Sequence, residues 1–597
     1  MRTSIATVCL SGGLVEKLHA CSDAGFDGVE IMDADLIGAM ESPEEIRALC
    51  ARLGLSIDLF QPFRDLEGVA DDVFADNLRR AEAKFAVMER LGADTILVCS
   101  NAGTATIDDD DVAAAQLGAL ADAAAKRGIR IAYEALAWGR FVDDYRHAWR
   151  IVQLADRPNL GVCLDSFHIL SRGHDPAAIE EIDGDKIFFL QLADAPALDM
   201  DVLSWSRHHR LFPGEGDFAL TDFLAHVLRA GYTGPLSLEV FNDTFRQTDV
   251  VRTAGHARRS LTWLADRTAA ANGWTDDLLG EPQVARGIDF IEIAGADLTA
   301  VDETLERLGF AFGGRHRSKR VRLWTAGEAR IILDEQVRDE TPRLTGIGLM
   351  VDDADAAVDR AVALGAPAAF RRTYAGEQEL RGVASPDGTV VYWSDRPADT
   401  SWITEFEGGS PGSGACESGV VDHANVGYRW QDFDEAVLFA SSVLSLTTQS
   451  SADVPGPQGL VLSQVMRTED GVVRLPMNLA PPTAPVPDRH VAVRCDDVVA
   501  AARAARAAGL DFLRIPENYY DDLAAQFDLD PDLLAELREL DLLYDRDGSG
   551  GEFIHFYTPT IGGVFFELVE RRGGYDGYGA ASAPVRLAMQ RRASASA

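Results

Sequence analysis

Residues 1–270 contain eight short apolar runs that alternate with amphipathic segments, and this alternation restricts the fold more than any other feature. The runs are SIATVCL, GVEIMD, LSIDLF, DTILVCS, IRIAYE, LGVCLD, IFFLQL and LSLEV. Between them, Asp76–Leu91, Asp111–Lys126 and Leu220–Ala230 are typical of helices. Such alternation predicts parallel strands with helical crossovers, and eight units in this length predict a (β/α)8 TIM barrel. An open doubly wound sheet is the alternative, but no glycine-rich phosphate loop follows the first run.

Four consecutive runs close with a polar side chain that carries oxygen. These residues are Glu134, Asp165, Gln191 and Glu239, on the fifth to eighth predicted strands. The active site of a TIM barrel forms at the carboxyl ends of its strands, where neighbouring strand ends converge. Three carboxylates cannot stay ionised together without a cation, and an oxygen-rich set suits a hard divalent ion. The alternative is that each acid caps a helix or forms a salt bridge at its own strand–helix junction.

Three further residues near these strand ends are candidates for catalysis. His168 follows Asp165 by three residues and can act as a general base near neutral pH. Arg210, in SRHHRLFPGEGDF, and Arg64, in FQPFRDLEG, can bind a substrate carboxylate through two parallel hydrogen bonds. The alternatives are a packing histidine and solvated loop arginines.

The segments SIATVCLSGGLVEKLHACSDAGFDGVEI, QPFRDLEG, YEALAWGR and HHRLFPGEGDF resemble the bacterial 3-dehydroshikimate dehydratases, within the xylose-isomerase-like barrel superfamily. The whole chain resembles the long form of that family, in which the barrel is fused to a dioxygenase-like module. The resemblance implies that the four polar strand ends bind a divalent metal (Mg2+, Mn2+ or Co2+). Many superfamily members have histidine where Gln191 stands. It also implies dehydration of 3-dehydroshikimate to protocatechuate, with His168 as the base and Arg64 and Arg210 as substrate contacts.

The second half of the chain repeats itself. RGIDFIEIAG parallels GVVDHANVGY, LTGIGLMVDD parallels DRHVAVRCDD, and GTVVYWSDR parallels GGVFFELVER. In the second copy His423, His490 and Glu567 stand where the first copy has Phe290, Gly346 and Tyr392. Two imidazoles and a carboxylate on strands suit a non-haem iron(II) site with open positions. A purely structural role for these three residues is the alternative.

This half resembles the vicinal-oxygen-chelate fold, an α+β double module, and its second copy resembles 4-hydroxyphenylpyruvate dioxygenase. The resemblance rests on VDHANV, RHVAV, IPENYYDDL, LYDRDGSGGEFIHFYT and GGVFFELVERRGGYDGYG. Two departures are His555, where that family usually has glutamine, and a closing segment, ASAPV, that lacks the usual phenylalanine. The expected domains are a dehydratase barrel at 1–272, a degenerate module without metal ligands at 286–400, a metal module at 419–580 and a disordered tail at 581–597.

Composition limits the partners of the chain. A formal net charge of −39 over 597 residues disfavours nucleic acid and anionic lipid, because binding phosphates requires a basic surface. No apolar run reaches the length of a membrane helix. Seven scattered cysteines suggest reduced thiols and a cytoplasmic enzyme acting on a small molecule. The oligomeric state stays open and includes a homo-oligomer. The competing function is a sugar isomerase or epimerase on the barrel, with a second half that is structural or a non-haem iron dioxygenase.

Overall fold

The computed structural model describes residues 1–274, 279–338, 341–397, 400–410, 419–457, 459–479 and 481–596. The chain divides into two compact units, Met1–Leu279 and Gly280–Ala597. The first unit is a closed barrel of eight strands, as the alternation of apolar runs predicts. The second contains two sheets with helices, as the internal repeat predicts.

The barrel strands are parallel, and each is bonded to its neighbour in sequence order. They are Thr3–Ala6 (β1), Gly28–Met32 (β2), Ser56–Phe63 (β3), Thr95–Cys99 (β4), Arg130–Glu134 (β5), Leu160–Asp165 (β6), Ile187–Leu192 (β7) and Leu236–Leu238 (β8). Pairing of β1 with β8, with Ser4 opposite Ser237, closes the barrel.

The helices of the first unit lie mostly in the crossovers between these strands. They are Leu14–Asp23 (α1), Asp33–Gly38 (α2), Pro43–Leu53 (α3), Asp71–Leu91 (α4), Asp110–Ala125 (α5), Tyr145–Ala155 (α6), Ser166–Leu170 (α7), Val202–His208 (α8), Leu220–Arg229 (α9) and Val250–Asn272 (α10). Local sequence explains their ends. In α3, Ser42 and Glu45 exchange hydrogen bonds in a capping box, Pro43 takes the first position, and Gly54 ends the helix with a φ of 74°.

Strand alternation directs the polar strand ends into the barrel. Successive side chains of a strand point to opposite faces. Ala132, Cys163 and Phe189 belong to one small apolar cluster formed by alternate residues of neighbouring strands. Glu134, Asp165 and Gln191 each lie two residues further along the same strands and share that inward face. Glu239 directly follows the last residue of β8.

The first module of the second unit is a nine-stranded sheet. Its elements are Gly287–Ala294 (β9), Thr299–Arg307 (α11), Ala311–His316 (β10), Val321–Ala326 (β11), Ala329–Asp334 (β12), Arg343–Met350 (β13), Ala354–Ala363 (α12), Ala368–Ala369 (β14), Gly382–Ala384 (β15), Val390–Ser394 (β16) and Phe406–Glu407 (β17). The strand order is β14-β15-β16-β13-β9-β12-β11-β10-β17.

The second module is an eight-stranded sheet with more helices. Its elements are Val420–Tyr428 (β18), Phe433–Ser442 (α13), Thr447–Gly456 (β19), Gly459–Arg467 (β20), Arg474–Leu479 (β21), Arg489–Arg494 (β22), Val498–Ala507 (α14), Glu517–Gln526 (α15), Pro531–Glu539 (α16), Leu543–Arg546 (β23), Glu552–Tyr557 (β24), Val564–Arg572 (β25) and Ala583–Ser596 (α17). The order β19-β20-β21-β18-β22-β25-β24-β23 places β18, β22 and β25 side by side, like β9, β13 and β16 in the first module.

The structure differs from the sequence-based expectation at the C-terminal tail. The tail expected to be disordered over 581–597 contains α17, and its residues Arg586 and Leu587 line a cavity of the second module. The stretch between the two modules contains β17, and residues 411–418, which include Cys416, lie outside the described residues. The other six cysteines are buried free thiols. Within the described ranges, no helix has both the length and the apolarity to cross a membrane.

Candidate functional site

The carboxyl end of the barrel holds a buried cluster of acids. Glu134, Asp165 and Glu239 are 3%, 2% and 5% exposed. Ligand atoms of Glu134, Asp165 and His168 lie within 4.8 Å of one another, close enough to bind one ion. Glu239 joins Asp165 through Arg210, whose Nη1 lies 2.8 Å from Asp165 Oδ2 and 3.1 Å from Glu239 Oε2.

The charges of this cluster do not balance. Of the three buried carboxylates, Asp165 and Glu239 share the one guanidinium of Arg210, and Glu134 has no ion pair with it. Glu134 Oε1 is buried and has no hydrogen-bond partner. Burial raises the pKa of Glu134 well above its usual range, and repulsion from Asp165 and Glu239 adds to the rise. A divalent cation would satisfy the unpaired oxygen and neutralise the excess charge, so the residues present fit a metal ion.

Gln191 is held by the carboxylate of Glu30, which was not predicted as a site residue. Glu30 on β2 is fully buried, and its Oε2 accepts hydrogen bonds from Gln191 Nε2 at 2.6 Å and Gln61 Nε2 at 2.7 Å. Its other oxygen accepts from Ser237. The amide oxygen of Gln191 accepts a weak hydrogen bond from Cys163 Sγ at 3.5 Å, which leaves a lone pair for a metal. An acid within the apolar run GVEIMD was the signal available in the sequence.

His168 lies in the short helix α7 that follows β6 and is 3% exposed. Its Nδ1 accepts a hydrogen bond from the backbone of Ala137 at 3.0 Å, and its Nε2 lies 3.3 Å from Arg210 Nη2. Burial lowers the pKa of His168 to about 4. Burial thus favours the neutral imidazole. Because Nδ1 accepts from the backbone, the neutral ring carries its proton on Nε2, which lies 3.7 Å from Asp165 Oδ2 and 3.9 Å from Glu134 Oε1.

Arg210 is built into the site rather than left free to move. The side chain is 1% exposed, its Nη2 donates to Ser206 at 2.9 Å, and its guanidinium carbon lies 4.5 Å from the centre of the Phe167 ring. Together with its bonds to Asp165 and Glu239, these contacts occupy the donors of the guanidinium. The sequence predicts Arg210 as a substrate contact, and in this arrangement it fixes two candidate metal ligands.

Arg64 is exposed and belongs to a group of arginines near the site. Burial lowers the pKa of Arg207, and repulsion from Arg64, Arg210 and Arg246 lowers it further, so these four charges lie near one another. The guanidiniums of Arg207, Arg210 and Arg246 lie 5.4–5.9 Å from the ring of Phe241, which is two residues beyond Glu239. Arg207 and Arg246 were not predicted. In a chain of net charge −39, this group forms a local cationic surface that attracts anions.

A second cluster lies in the second module, where the sequence predicts a facial triad. His423 Nε2 and His490 Nε2 are 3.1 Å apart, and each lies 3.1 Å from Glu567 Oε2. All three side chains are at most 4% exposed. Glu567 Oε2 and His490 Nδ1 have no hydrogen-bond partner. Two imidazole nitrogens and a carboxylate oxygen that converge on one point fit a divalent metal.

The residues behind the triad orient its ligands. His423 Nδ1 lies 2.8 Å from Asp422 Oδ1, and Arg571 donates to both oxygens of Asp422 at 2.7 and 2.8 Å. Such a carboxylate fixes the imidazole tautomer that leaves Nε2 for a metal. His555 Nδ1 lies 2.6 Å from Glu567 Oε1, so this departure from the glutamine of the dioxygenases still contacts the ligand. Burial lowers the pKa of His423, but the charges and hydrogen bonds of Glu567 and Asp422 together raise it to about 9.

Of the three matching positions of the first module, two carry aromatic rings and the third is Gly346. In register, Phe290 pairs with Gly348 and Gly348 with Tyr392, just as His423 pairs with Ala492 and Ala492 with Glu567. The ring centres of Phe290 and Tyr392 are 5.8 Å apart, and Trp402 lies 5.0 Å from Phe290. These positions therefore offer no metal ligand.

The first module nevertheless contains a separate cluster that was not predicted. His316 Nε2 lies 2.9 Å from Glu405 Oε2 and 3.9 Å from Glu377 Oε1. Lys319 Nζ lies 2.8 Å from Glu377, so an ammonium already neutralises one of the two carboxylates. The cluster is accordingly an ion-pair network between β10 and the segments that contain Glu377 and Glu405.

Comparisons with known proteins agree with this architecture. Family models match at residues 18–267 (xylose isomerase-like TIM barrel), 280–407 (hydroxyphenylpyruvate dioxygenase, HPPD, N-terminal) and 421–535 (glyoxalase/bleomycin resistance protein/dioxygenase superfamily). A solved structure described as a xylose isomerase-like TIM barrel/4-hydroxyphenylpyruvate dioxygenase fusion protein is 41% identical, covers 99% of both chains and has a TM-score of 0.89.

Two curated relatives match over nearly their whole length. The 3-dehydroshikimate dehydratase of Pseudomonas putida is 42% identical, covering 99% of this chain and 98% of the relative. That of Pseudomonas aeruginosa is 43% identical, covering 99% of each. The chain therefore belongs to the family of 3-dehydroshikimate dehydratases in which a TIM barrel is fused to a dioxygenase-like half.

Proposed function

We propose that the barrel dehydrates 3-dehydroshikimate to protocatechuate at a divalent metal held by Glu134, Asp165, Gln191 and Glu239. The observation that carries the proposal is the excess of buried carboxylate at the strand ends, with Glu134 Oε1 left without a partner. The reaction is inferred from the family to which the chain belongs. The metal is inferred from the excess of buried carboxylates. Mg2+, Mn2+ and Co2+ are the candidate ions, because oxygen ligands favour hard cations.

A bound metal would stabilise negative charge on the substrate carbonyl oxygen as the neighbouring carbon loses a proton. The roles of the protein's own groups follow from their positions. Glu30 holds the Gln191 amide, and Arg210 holds Asp165 and Glu239. His168, which burial keeps neutral, is the proposed acceptor of that proton. The hydroxyl on the next carbon leaves as water, and tautomerisation then gives the aromatic ring.

Recognition of the substrate is assigned to the group of arginines near the site. 3-Dehydroshikimate carries a carboxylate, and exposed Arg64 and Arg207 lie close enough for their charges to interact. Their guanidiniums offer paired donors to a planar anion. The net charge of −39 supports a small-molecule substrate over nucleic acid, and six buried free thiols support a cytoplasmic location.

The second unit is dioxygenase-like, and His423, His490 and Glu567 are its proposed metal ligands. Fe2+ is the first candidate, because two histidines and one carboxylate leave coordination positions open for a ligand. The hydrogen bonds that join Asp422 and His555 to this set support a metal site over a packing role.

The test is to remove metal from the protein, add Mg2+, Mn2+ or Co2+, supply 3-dehydroshikimate and follow protocatechuate absorbance. We expect metal to restore product formation. Glu134→Ala should abolish turnover together with one bound metal per chain, while His423→Ala should lose the other metal and keep dehydrating. No product with any of the three ions, or full turnover by Glu134→Ala, would refute the barrel assignment.

A further inference from the structure

The three strands that carry the proposed ligands of the second module are each bonded to the first module where they begin. Gly419 directly precedes β18. Its backbone oxygen accepts hydrogen bonds from the backbone N–H groups of Glu328 and Ala329, at 2.7 and 3.0 Å. These two residues lie at the turn between β11 and β12 of the first module. His423 lies four residues beyond Gly419, so the strand that carries this ligand is fixed close to it.

The strand that carries Glu567 has a similar connection. Gly563 directly precedes β25, and its backbone N–H donates to the backbone oxygen of Pro342 at 2.9 Å. The two backbones approach closely here, because a Cβ added at Gly562 would lie 2.7 Å from Cδ of Pro342. Glu567 lies four residues beyond Gly563. The first module therefore fixes the start of β25 as it fixes the start of β18.

An ion pair makes the third connection, at β22. Arg489, the first residue of that strand, donates through Nη1 to the backbone oxygen of Leu344 at 2.9 Å and to Thr389 Oγ1 at 2.7 Å. Its Nη2 donates to Asp387 Oδ2, and the arginine and aspartate side chains are 17% and 7% exposed. Asp387 also accepts from the backbone and the hydroxyl of Thr389, so it is fixed within its own turn. His490 is the residue after Arg489.

His490 depends on the position of its strand more than the other histidine of the triad does. The carboxylate of Asp422 lies 2.8 Å from His423 Nδ1 and orients that ring. His490 Nδ1 has no hydrogen-bond partner among the described residues. Its ring packs on Phe565, the residue paired with it on β25, with the ring centres 4.8 Å apart. The placement of the His490 ring therefore follows the placement of β22 against β25.

We propose that the first module positions the three strands that carry the metal ligands, with Arg489 as the positioning residue for His490. The proposal rests on the proposed metal site of the second module. Ligands need to be held to within about 0.5 Å of the geometry that a metal requires. A guanidinium bonded to a carboxylate, a hydroxyl and a backbone oxygen restricts the start of β22 in this way. The inference assigns a role to a module whose own matching positions carry no metal ligand.

The experiment changes the first module and measures the metal of the second. The full-length chain carries Glu134→Ala, so that only the second metal is counted. The variants are Asp387→Asn, which keeps the shape of an acid 102 residues from Arg489, Arg489→Met, and both together. Asp541→Asn is the matched control, because Asp541 is an 8% exposed acid of the second module that is paired with Arg506. Fe2+ affinity is measured anaerobically by competition with a chelator, and the visible absorption of bound Co2+ reports the geometry of the ligands.

We expect Asp387→Asn and Arg489→Met each to weaken Fe2+ binding about tenfold, as loss of other contacts that orient metal ligands does. The double variant should lose no more than the larger single loss, because both changes break the same ion pair. Both single variants should also alter the Co2+ absorption bands. Arg489→Lys, which keeps the charge, should recover part of the loss. Asp541→Asn should change Fe2+ affinity by less than about twofold, because it acts at an independent site. Circular dichroism checks that each variant is folded at the temperature of the measurement.

Two outcomes would overturn the inference alone. The first is that Asp387→Asn and Arg489→Met weaken Fe2+ binding no more than Asp541→Asn and leave the Co2+ spectrum unchanged, which would mean that the ion pair only stabilises the fold. The second is that the two losses add in the double variant, which would mean that they do not arise from one contact. A different result, unchanged metal content in His423→Ala, would refute the proposed metal site and the inference with it.

Discussion

The side-chain amide nitrogen of Gln191 lies 2.6 Å from a carboxylate oxygen of Glu30, while its amide oxygen accepts a weak hydrogen bond from Cys163 Sγ at 3.5 Å and keeps a lone pair for a metal. A neutral amide is a weak ligand, so the direction in which it points matters more than for a charged one. Glu30 also accepts hydrogen bonds from Gln61 and Ser237. Its two carboxylate oxygens thus accept from three donors. The ligand set proposed for the barrel thus depends on a residue that is not itself one of the ligands.

Replacing Glu30 with glutamine should weaken metal binding in the barrel. The NH2 of the new glutamine would face one of the groups that now donate to Glu30. Gln191 could then lose its hydrogen bond and rotate. We expect about a tenfold loss of affinity, in line with other residues that orient metal ligands, measured by competition with a chelator. Glu67→Gln is a matched control, since Glu67 is also buried but accepts from Asn101 and Tyr133. Equal affinity losses in both variants would contradict a specific role for Glu30.

Removing arginines from the group near the barrel site should raise the KM for 3-dehydroshikimate. Arg64→Ala and Arg207→Ala should each raise KM about fivefold with a smaller change in kcat, because each takes away attraction between exposed charges. Added salt should reduce the difference in KM between each variant and the parent protein, because salt screens interactions between exposed charges. Arg79→Ala, which removes an exposed charge paired with Asp76 on α4, should leave KM unchanged. If Arg79→Ala raised KM as much as Arg64→Ala or Arg207→Ala does, the effect would reflect the net charge of the protein and not the position of these arginines.

Replacing Asp422 with asparagine should reduce metal binding in the second unit. The neutral amide would no longer hold His423 as a carboxylate does, and Arg571 would lose its counterion. We expect about a tenfold loss of iron affinity and unchanged dehydration by the barrel, measured on the same preparation.

The first module offers a matched control for that variant. Asp289 precedes Phe290 as Asp422 precedes His423, and it accepts from Arg330, Ser394 and Trp402. Asp289→Asn should destabilise its module without changing iron content. If both variants lose iron equally, the loss reflects stability and not ligand orientation.

Replacing Phe290 with alanine should destabilise the first module by about 3–5 kcal/mol, the usual cost of removing a buried phenylalanine. Phe290 is fully buried against Tyr392 and Trp402. Hydrogen exchange of β9, followed by mass spectrometry, would report the change locally. Phe370→Ala, at a residue that is 93% exposed, should leave that exchange rate as it was. If the hydrogen exchange of β9 were as slow in Phe290→Ala as in the parent protein, packing of the Phe290 ring would not stabilise the sheet.

Local sequence carries enough information to place Glu134, Asp165, Gln191 and Glu239 at one end of the barrel. Strand alternation and the order of the strands fix that arrangement before any tertiary contact is known. The repeat likewise predicts His423, His490 and Glu567 as a set, because matching positions in two copies of a fold occupy matching places. The structure brings the three together within 3.1 Å.

Other features depend on contacts between residues far apart in the chain. Glu30 lies 161 residues from Gln191, and nothing in GVEIMD identifies which side chain it meets. The sequence around Arg210 is typical of a free loop arginine, but the fold closes its guanidinium between Asp165 and Glu239. The composition of the tail predicts disorder, yet it forms α17 and buries Arg586.

Periodicity along the chain is thus sufficient to specify the barrel, the repeat and the two sets of candidate ligands, because each of these depends on regular spacing between residues. The groups that orient those ligands are set by the tertiary structure. Hydrogen bonds and ion pairs between distant segments depend on distances of a few ångströms, which periodicity does not specify.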